Sequence, residues 1–237
     1  MKLLTHNNTK ILKGVDQGYM TYGLHFAPST LSGRNVCPNA SPGCAEACLN
    51  TAGRGVMQMV QDARIKKTKK FFENKLEFAM ELSKDVVRAV NHSLKKQMNV
   101  CFRLNLTSDI RWEDWGIMQD HPAYQFYDYT KSLKRMFKFL RNELPHNYHL
   151  TYSRSEITEV KTIRQILDAG GNVAVVFDEV PKTWEGMEVI SGDDHDLRFK
   201  DPRGKIVGLE AKGKAKQDDS GFVVKVKSES EEQTQNK

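Results

Sequence analysis

Cys37, Cys44 and Cys48 fall within twelve residues of one loop, Cys37-Pro-Asn-Ala-Ser-Pro-Gly-Cys44-Ala-Glu-Ala-Cys48. Pro38, Pro42 and Gly43 bend the backbone between them, so three thiolates can converge on one point. Soft thiolates select zinc or iron-sulfur clusters. A structural zinc site closes with four ligands, whereas a 4Fe-4S cluster held by three cysteines leaves one iron free for a substrate or cofactor. The lack of a fourth ligand favours the cluster. Cys101 stands alone and reads as a small buried hydrophobe. It lies six residues before Thr107, roughly 20 Å along an extended strand, too far to join the others. The start, Met-Lys-Leu-Leu-Thr-His-Asn-Asn, lacks the apolar region of a secretory signal, so the expectation is a cytoplasmic protein with reduced thiols, not a disulfide framework.

The loop must be held by the elements around it. Gly18 to Phe26 is rich in strand formers and stops at Ala27-Pro28, which places the cysteines just past the C-terminal end of a strand. From Met57 to about Gln97 there is neither proline nor glycine, and apolar residues recur at helical spacing, giving one long helix or two abutting ones. Asn99 to Asp109 then alternates, with Val100, Phe102, Leu104 and Leu106 on one side and Cys101, Arg103, Asn105 and Thr107 on the other. In a parallel barrel such a strand turns a polar face to a ligand-lined interior; a solvent-exposed antiparallel strand gives the same pattern. Further strands are expected at Tyr124–Tyr129, Tyr148–Ser153 and Asn172–Phe177, with helices at Ser132–Asn142 and Glu159–Ala169 between them. Val189–Ile190 and Lys205–Leu209 read as short strands. Alternating elements of this kind imply α/β architecture with a parallel sheet of about six strands.

A chain of 237 residues with 39% hydrophobic and 28% charged content can bury a sizeable core, and no stretch is apolar enough to cross a bilayer. The net charge of +6 leaves about +8 on the body once the acidic residues 217–237 are set aside. That balance weakly favours anionic partners such as nucleic acid or phosphorylated metabolites. Arg64-Ile-Lys-Lys-Thr-Lys-Lys70 reads first as a solvated helix face. Residues 1–216 are expected to form the domain, and 217–237 an edge segment around Phe222–Val226 followed by a disordered polar tail.

A strand, a three-cysteine loop and a parallel barrel together resemble the radical S-adenosylmethionine (SAM) superfamily. More closely, Tyr22 to Ser29 and Cys37 through Gly55, with Gly192–Arg198 and Gly208–Gly213 later, resemble the phage gene product 88 family. The resemblance covers most of the chain and implies a viral origin and an iron-sulfur α/β fold, a partial (β/α)6 TIM-like barrel like the radical SAM core. The departures concern SAM itself. Radical SAM enzymes space their cysteines more tightly than the six and three intervening residues here, commonly carry an aromatic residue where this chain has Ala47, and have a Gly-Gly-Glu-like run where this chain reads Asn105-Leu-Thr-Ser-Asp109.

In α/β barrels the working residues sit at the C-terminal ends of strands. Those ends bring up His25, Thr107, Asp109, Thr130, Ser153, Arg154, Asp178 and Glu179, while Asn50 and Arg54 follow the last cysteine. Arg103, Asn105, Thr107, Asp109 and Arg154 are the candidates for catalysis; His25, Asn50, Arg54, Ser153 and Asp178 are the candidates for holding a cofactor. Each has a plainer role open to it, as a helix cap, a surface ion pair or a packed side chain. His146 and His149 read as structural, and His195-Asp-Leu-Arg198 as a lid or substrate contact. Three functions are in play. The first is an enzyme using the open iron of a 4Fe-4S cluster on a small or anionic ligand, in redox, sulfur-handling or Lewis-acid chemistry. The second is a radical SAM enzyme proper. The third is a cluster- or zinc-stabilised module that binds nucleic acid through the basic helix near Lys66. The sequence leaves the oligomeric state open.

Overall fold

A computed structural model describes residues 1–226. It is a mixed α/β fold around a ten-stranded sheet. In chain order the elements are β1 (Leu4–Thr5), α1 (Thr9–Leu12), β2 (Tyr19–Leu24), α2 (Pro42–Glu46), α3 (Gln58–Glu73), α4 (Lys75–Lys95), β3 (Asn99–Arg103), α5 (Ile117–Asp120) and β4 (Gln125–Thr130). There follow α6 (Leu133–Leu140), β5 (Tyr148–Ser153), α7 (Val160–Asp168), β6 (Val173–Phe177), β7 (Thr183–Trp184), β8 (Met187–Ser191), β9 (Ile206–Glu210) and β10 (Val223–Val224). The sheet runs β1-β2-β3-β4-β5-β6-β9-β8-β7, with β10 beside β6. Strands β2 to β6 are parallel and in sequence order, so their C-terminal ends share one rim.

Period-two alternation splits the strands into two faces. Tyr22, Leu24, Phe102, Phe126, Leu150, Tyr152, Val175 and Phe177 pack with Phe71 of α3, Phe78, Leu82 and Val86 of α4, Met136 of α6 and Ile163 and Ile166 of α7. Each such buried side chain contributes roughly 1.5–3 kcal/mol. Across the sheet, Cys101 and Tyr127 pack on Leu197. The expected helical run breaks into two at Asn74, whose φ of −140° is not helical and whose side chain accepts from Glu77 N–H to start α4. Ser132 caps α6 in the same way.

One local expectation gives way. Strand β3 stops at Arg103, so Asn105 and Thr107 do not continue its polar face. The Asp128 carboxylate accepts Asn105 N–H at 2.7 Å, replacing the ladder and turning the chain. The segment around Phe222 forms the short strand β10, which pairs with β6 alone. β9 occupies one side of β6 along Val173–Phe177, and β5 pairs only with Val173 and Ala174 on the other. β10 therefore wedges between β5 and β6, pairing in parallel with Val176 and Phe177. The strand count rises from about six to ten mainly through short pieces such as β1, β7 and β10, too brief to leave a periodic signal. Residues 227–237 of the expected tail lie outside the described residues.

Candidate functional site

The cysteine loop follows β2 and lies on the C-terminal rim. Ser41 accepts from Cys44 N–H at 3.3 Å, Pro42 opens the helix, and α2 carries Cys44 with Cys48 just past its end. Glu156, from the loop after β5, fastens this turn by accepting from Ser41 Oγ at 2.6 Å and Gly43 N–H at 2.8 Å. A Cβ at Gly43 would lie 2.2 Å from Ser220 Oγ and 3.0 Å from the Glu156 carboxyl, so a larger residue there would have to push those side chains aside. Cys37 belongs to a separate arm. Its sulfur accepts from Ser29 N–H at 3.4 Å and lies 3.8 Å from Thr107 O.

Burial is the main cause that lifts Cys37 to about 11 and moves Cys44 and Cys48 upward too; Cys44 and Cys48 add to the rise at Cys37, and Cys48 to that at Cys44. Two cations, the partly buried Lys131 and the buried Arg64, oppose the shift. Lys131 stands beside Cys44, donating to Ser153 O, Ser153 Oγ and Arg154 O at 3.2, 3.1 and 2.8 Å, with Nζ 4.8 Å from the Phe222 ring centre. Arg64, bonded to Asn50 Oδ1, stands beside Cys48. Cys44 packs against Ala47, Ala211, Ala215, Phe222 and Val223, which limits water on that side. Among the described residues, no group of three or more His, Cys, Asp or Glu side chains is placed to hold a metal ion. Cys37 is tied to one arm of the loop, and Cys44 and Cys48 to another.

The other candidates divide by position. Asn50 and Ser153 reach the thiols through Arg64 and Lys131. Thr107 donates to Phe26 O at 2.6 Å and sets the carbonyl beside Cys37. Asp109 lies near Cys37 but is engaged by Thr130 Oγ1 at 2.9 Å, Lys131 N–H at 3.1 Å and Arg135 at 2.5 Å, and Asn105 donates to Ile110 O and Asp128. Arg103 donates to both Asp196 oxygens at 3.0 and 2.8 Å and lies 4.6 Å from the Tyr129 ring centre. Arg154 donates to Gly221 O and Phe222 O, and Asp178 accepts Val226 N–H, so both serve β10. Arg54 is exposed. His25 is held neutral, its pKa pushed down to about 3 by burial and by Arg64, Lys67 and Arg103, and its Nδ1 is buried without a partner.

Cys101 is apart from this group, buried with its thiol 3.2 Å from Thr21 Oγ1 and pushed up to about 12 by burial. Asp196 and Arg198 of the charged late run are fully buried, which makes that run an internal plug on the sheet rather than a lid. His149 is half-buried, with its pKa lowered to about 4, chiefly by desolvation. Sequence reasoning missed Lys131, one residue beyond the end of β4, where the strand-end rule would have found it. It also missed the anchoring role of Glu156, which no local pattern announces. No helix among the described residues is long and apolar enough to cross a membrane. A family model described as gene product 88 matches residues 2–226. No curated protein and no solved structure matches the chain.

Proposed function

The chain belongs to the phage gene product 88 family, and from that premise we propose that it is an iron-sulfur protein. In this reading Cys37, Cys44 and Cys48 hold a 4Fe-4S cluster with one iron left to a small anionic or hydrogen-bonding ligand. The observation that carries the reading is the gathering of three soft donors on the rim, with Lys131 and Arg64 set against them and the fourth thiol buried elsewhere. The parallel run β2 to β6, with the loop after its first member, supports a partial TIM-like arrangement for the sheet.

Bound there, such a cluster supplies electron transfer, or Lewis acidity at its open iron. The protein's own groups have separable tasks. Lys131 and Arg64 offset negative charge on the thiolates. Phe222, Val223 and the three alanines keep water from Cys44. Glu156 holds the turn that carries Cys44 and Cys48. His25, neutral and unpartnered at Nδ1, offers a hydrogen bond rather than a charge. A nucleic-acid module has less support, because Arg64, Lys67 and Lys70 of the basic run are engaged by Asn50, Leu3 O and Glu77, which leaves Lys66 and Lys69 exposed.

The test is anaerobic purification or reconstitution, followed by metal and sulfide analysis. About four irons per chain are expected, lost on replacing Cys37, Cys44 or Cys48 with Ala and kept in Cys101→Ala. Adding SAM, citrate, cyanide or sulfide should perturb the reduced signal in electron paramagnetic resonance for at least one of them. A response to SAM selects the radical SAM reading. Stoichiometric zinc in place of iron, or iron indifferent to the three cysteines, overturns the proposal.

A further inference from the structure

A cleft of about 270 Å³ opens beside the Cys37 arm, between the junction of α3 with α4 and the loop that follows β3. None of the four cysteines lines it, so what it holds does not depend on the cluster reading. Its volume falls just under the usual range for small-molecule pockets, which is room for one planar ring system with a short tail outside. The apolar part of the lining is aromatic. Phe71 is buried and stacks on Trp115, with ring centres 4.8 Å and planes 25° apart, while Trp115 and Phe72 stay partly exposed where they line the cleft. The rest is polar. Asp109 is buried, and Thr130, Arg135 and the Lys131 N–H hold its carboxylate in place. Its Oδ2 also meets the Asn39 amide at 3.4 Å, the longest of these contacts and the one a ligand N–H would displace most readily. Asn35 and Asn39 add exposed amides, and Lys75 and Arg111 add exposed cations. Arg111 meets the exposed Asp114 at 3.1 Å, a surface pair of little strength. Lys75 has no ion-pair partner among the described residues.

We propose that this cleft binds a nucleoside monophosphate. The base lies against Trp115 and Phe72, since a ring already stacked on one side by Phe71 offers its other side to a planar ligand. The N–H edge of the base donates to Asp109 Oδ2, and the amides of Asn35 and Asn39 serve its remaining donors and acceptors. The phosphate stays at the mouth with Lys75 and Arg111, the latter exchanging Asp114 for it. A plain aromatic ring would leave the carboxylate and amides unused, and a free phosphate would leave the aromatic wall bare.

Titration of the full chain with guanosine, adenosine, cytidine and uridine monophosphates tests this, followed by tryptophan fluorescence and calorimetry. At least one should bind at about 10–100 µM and quench the fluorescence. The matching nucleoside should bind about tenfold more weakly, and inorganic phosphate not measurably. Lys75→Glu and Arg111→Glu should each weaken the nucleotide about tenfold and leave the nucleoside unchanged. Both side chains are exposed, so circular dichroism and melting temperature should not move. Trp115→Phe, which keeps a ring against Phe71, should lose the quenching. Nucleotide affinity indifferent to Lys75→Glu and Arg111→Glu, or quenching retained in Trp115→Phe, puts the ligand elsewhere and overturns the proposal. Binding of none of the four, of phosphate as tightly as the nucleotide, or of single-stranded oligonucleotide alone overturns it as well.

Discussion

Replacing Glu156 with Ala removes both hydrogen bonds that fasten the Cys44–Cys48 turn, those from Ser41 Oγ at 2.6 Å and Gly43 N–H at 2.8 Å. A hydrogen bond to a charged acceptor is worth about 1.5–3 kcal/mol. Partial exposure puts these two at the low end, and their shared acceptor makes them less than additive, so we take ~2 kcal/mol for the pair. At about 1.4 kcal/mol per tenfold, that is roughly a 30-fold shift toward the opened turn. Opening is local, so the global melting temperature should move little. The readout is exchange at the Ala45 and Ala47 amides, which donate to Ser41 O and Gly43 O, together with alkylation of Cys44 and Cys48 in reduced, metal-free protein. Both should speed up by about that factor, while Cys101 stays unreactive. Burial would raise the pKa of Glu156, but the bonds from Ser41 and Gly43 and the nearby Lys131 outweigh it and hold the carboxyl below the usual glutamate range. A lowered folded pKa means that the protection is complete above the unfolded value and is lost as pH falls through the folded one. Acid should therefore mimic the variant in wild type, and add no such step to the variant. Exchange at Ala45 and Ala47 unchanged by Glu156→Ala would show that other contacts hold the turn, and the argument would fail.

Gly43→Ala should destabilise the same turn by about 1–3 kcal/mol, because the new methyl meets Ser220 and Glu156; amide exchange checks this, and wild-type protection would count against it. Asp196→Asn leaves Arg103 buried without its counter-ion and should cost about 3–5 kcal/mol in urea unfolding, with Arg103→Met/Asp196→Leu costing less. Asp128 is pushed up to about 7, chiefly by burial. Its folded form therefore holds a proton that the unfolded chain releases near pH 4, and its contribution falls as pH rises from about 4 to 7. Asp128→Asn should flatten that part of the stability profile measured by urea unfolding, and an unchanged slope would assign it to another group, such as Asp201.

What the sequence disclosed, it disclosed through local pattern. β5 appears at the residues expected, and α6 and α7 begin after Ser132 and Glu159, because periodicity and capping are written within a few neighbouring residues. The cysteine loop was legible for the same reason. The partner of Arg103 was not, since Asp196 lies 93 residues away and the alternation around Arg103 fits a ligand-facing strand equally well. Nor was the end of β3, where alternation continues to Thr107 but Asp128 draws Asn105 out of the ladder. Lys131 and Glu156 act on the thiols only once three strand ends share a rim.

The wedge of β10 between β5 and β6 also bears on how the chain acquires its fold as it is made. Until Val223 and Val224 arrive, the far half of β6 has an unpaired edge beside β5, with Val176 and Phe177 offering bare N–H and C=O groups. Synthesis at about 5–20 residues per second leaves that edge open for seconds after β6 itself is complete. Over that interval Cys44 lacks its cover of Phe222 and Val223. Cys44 is therefore more open to water while the chain grows and is covered on that side when the strand docks.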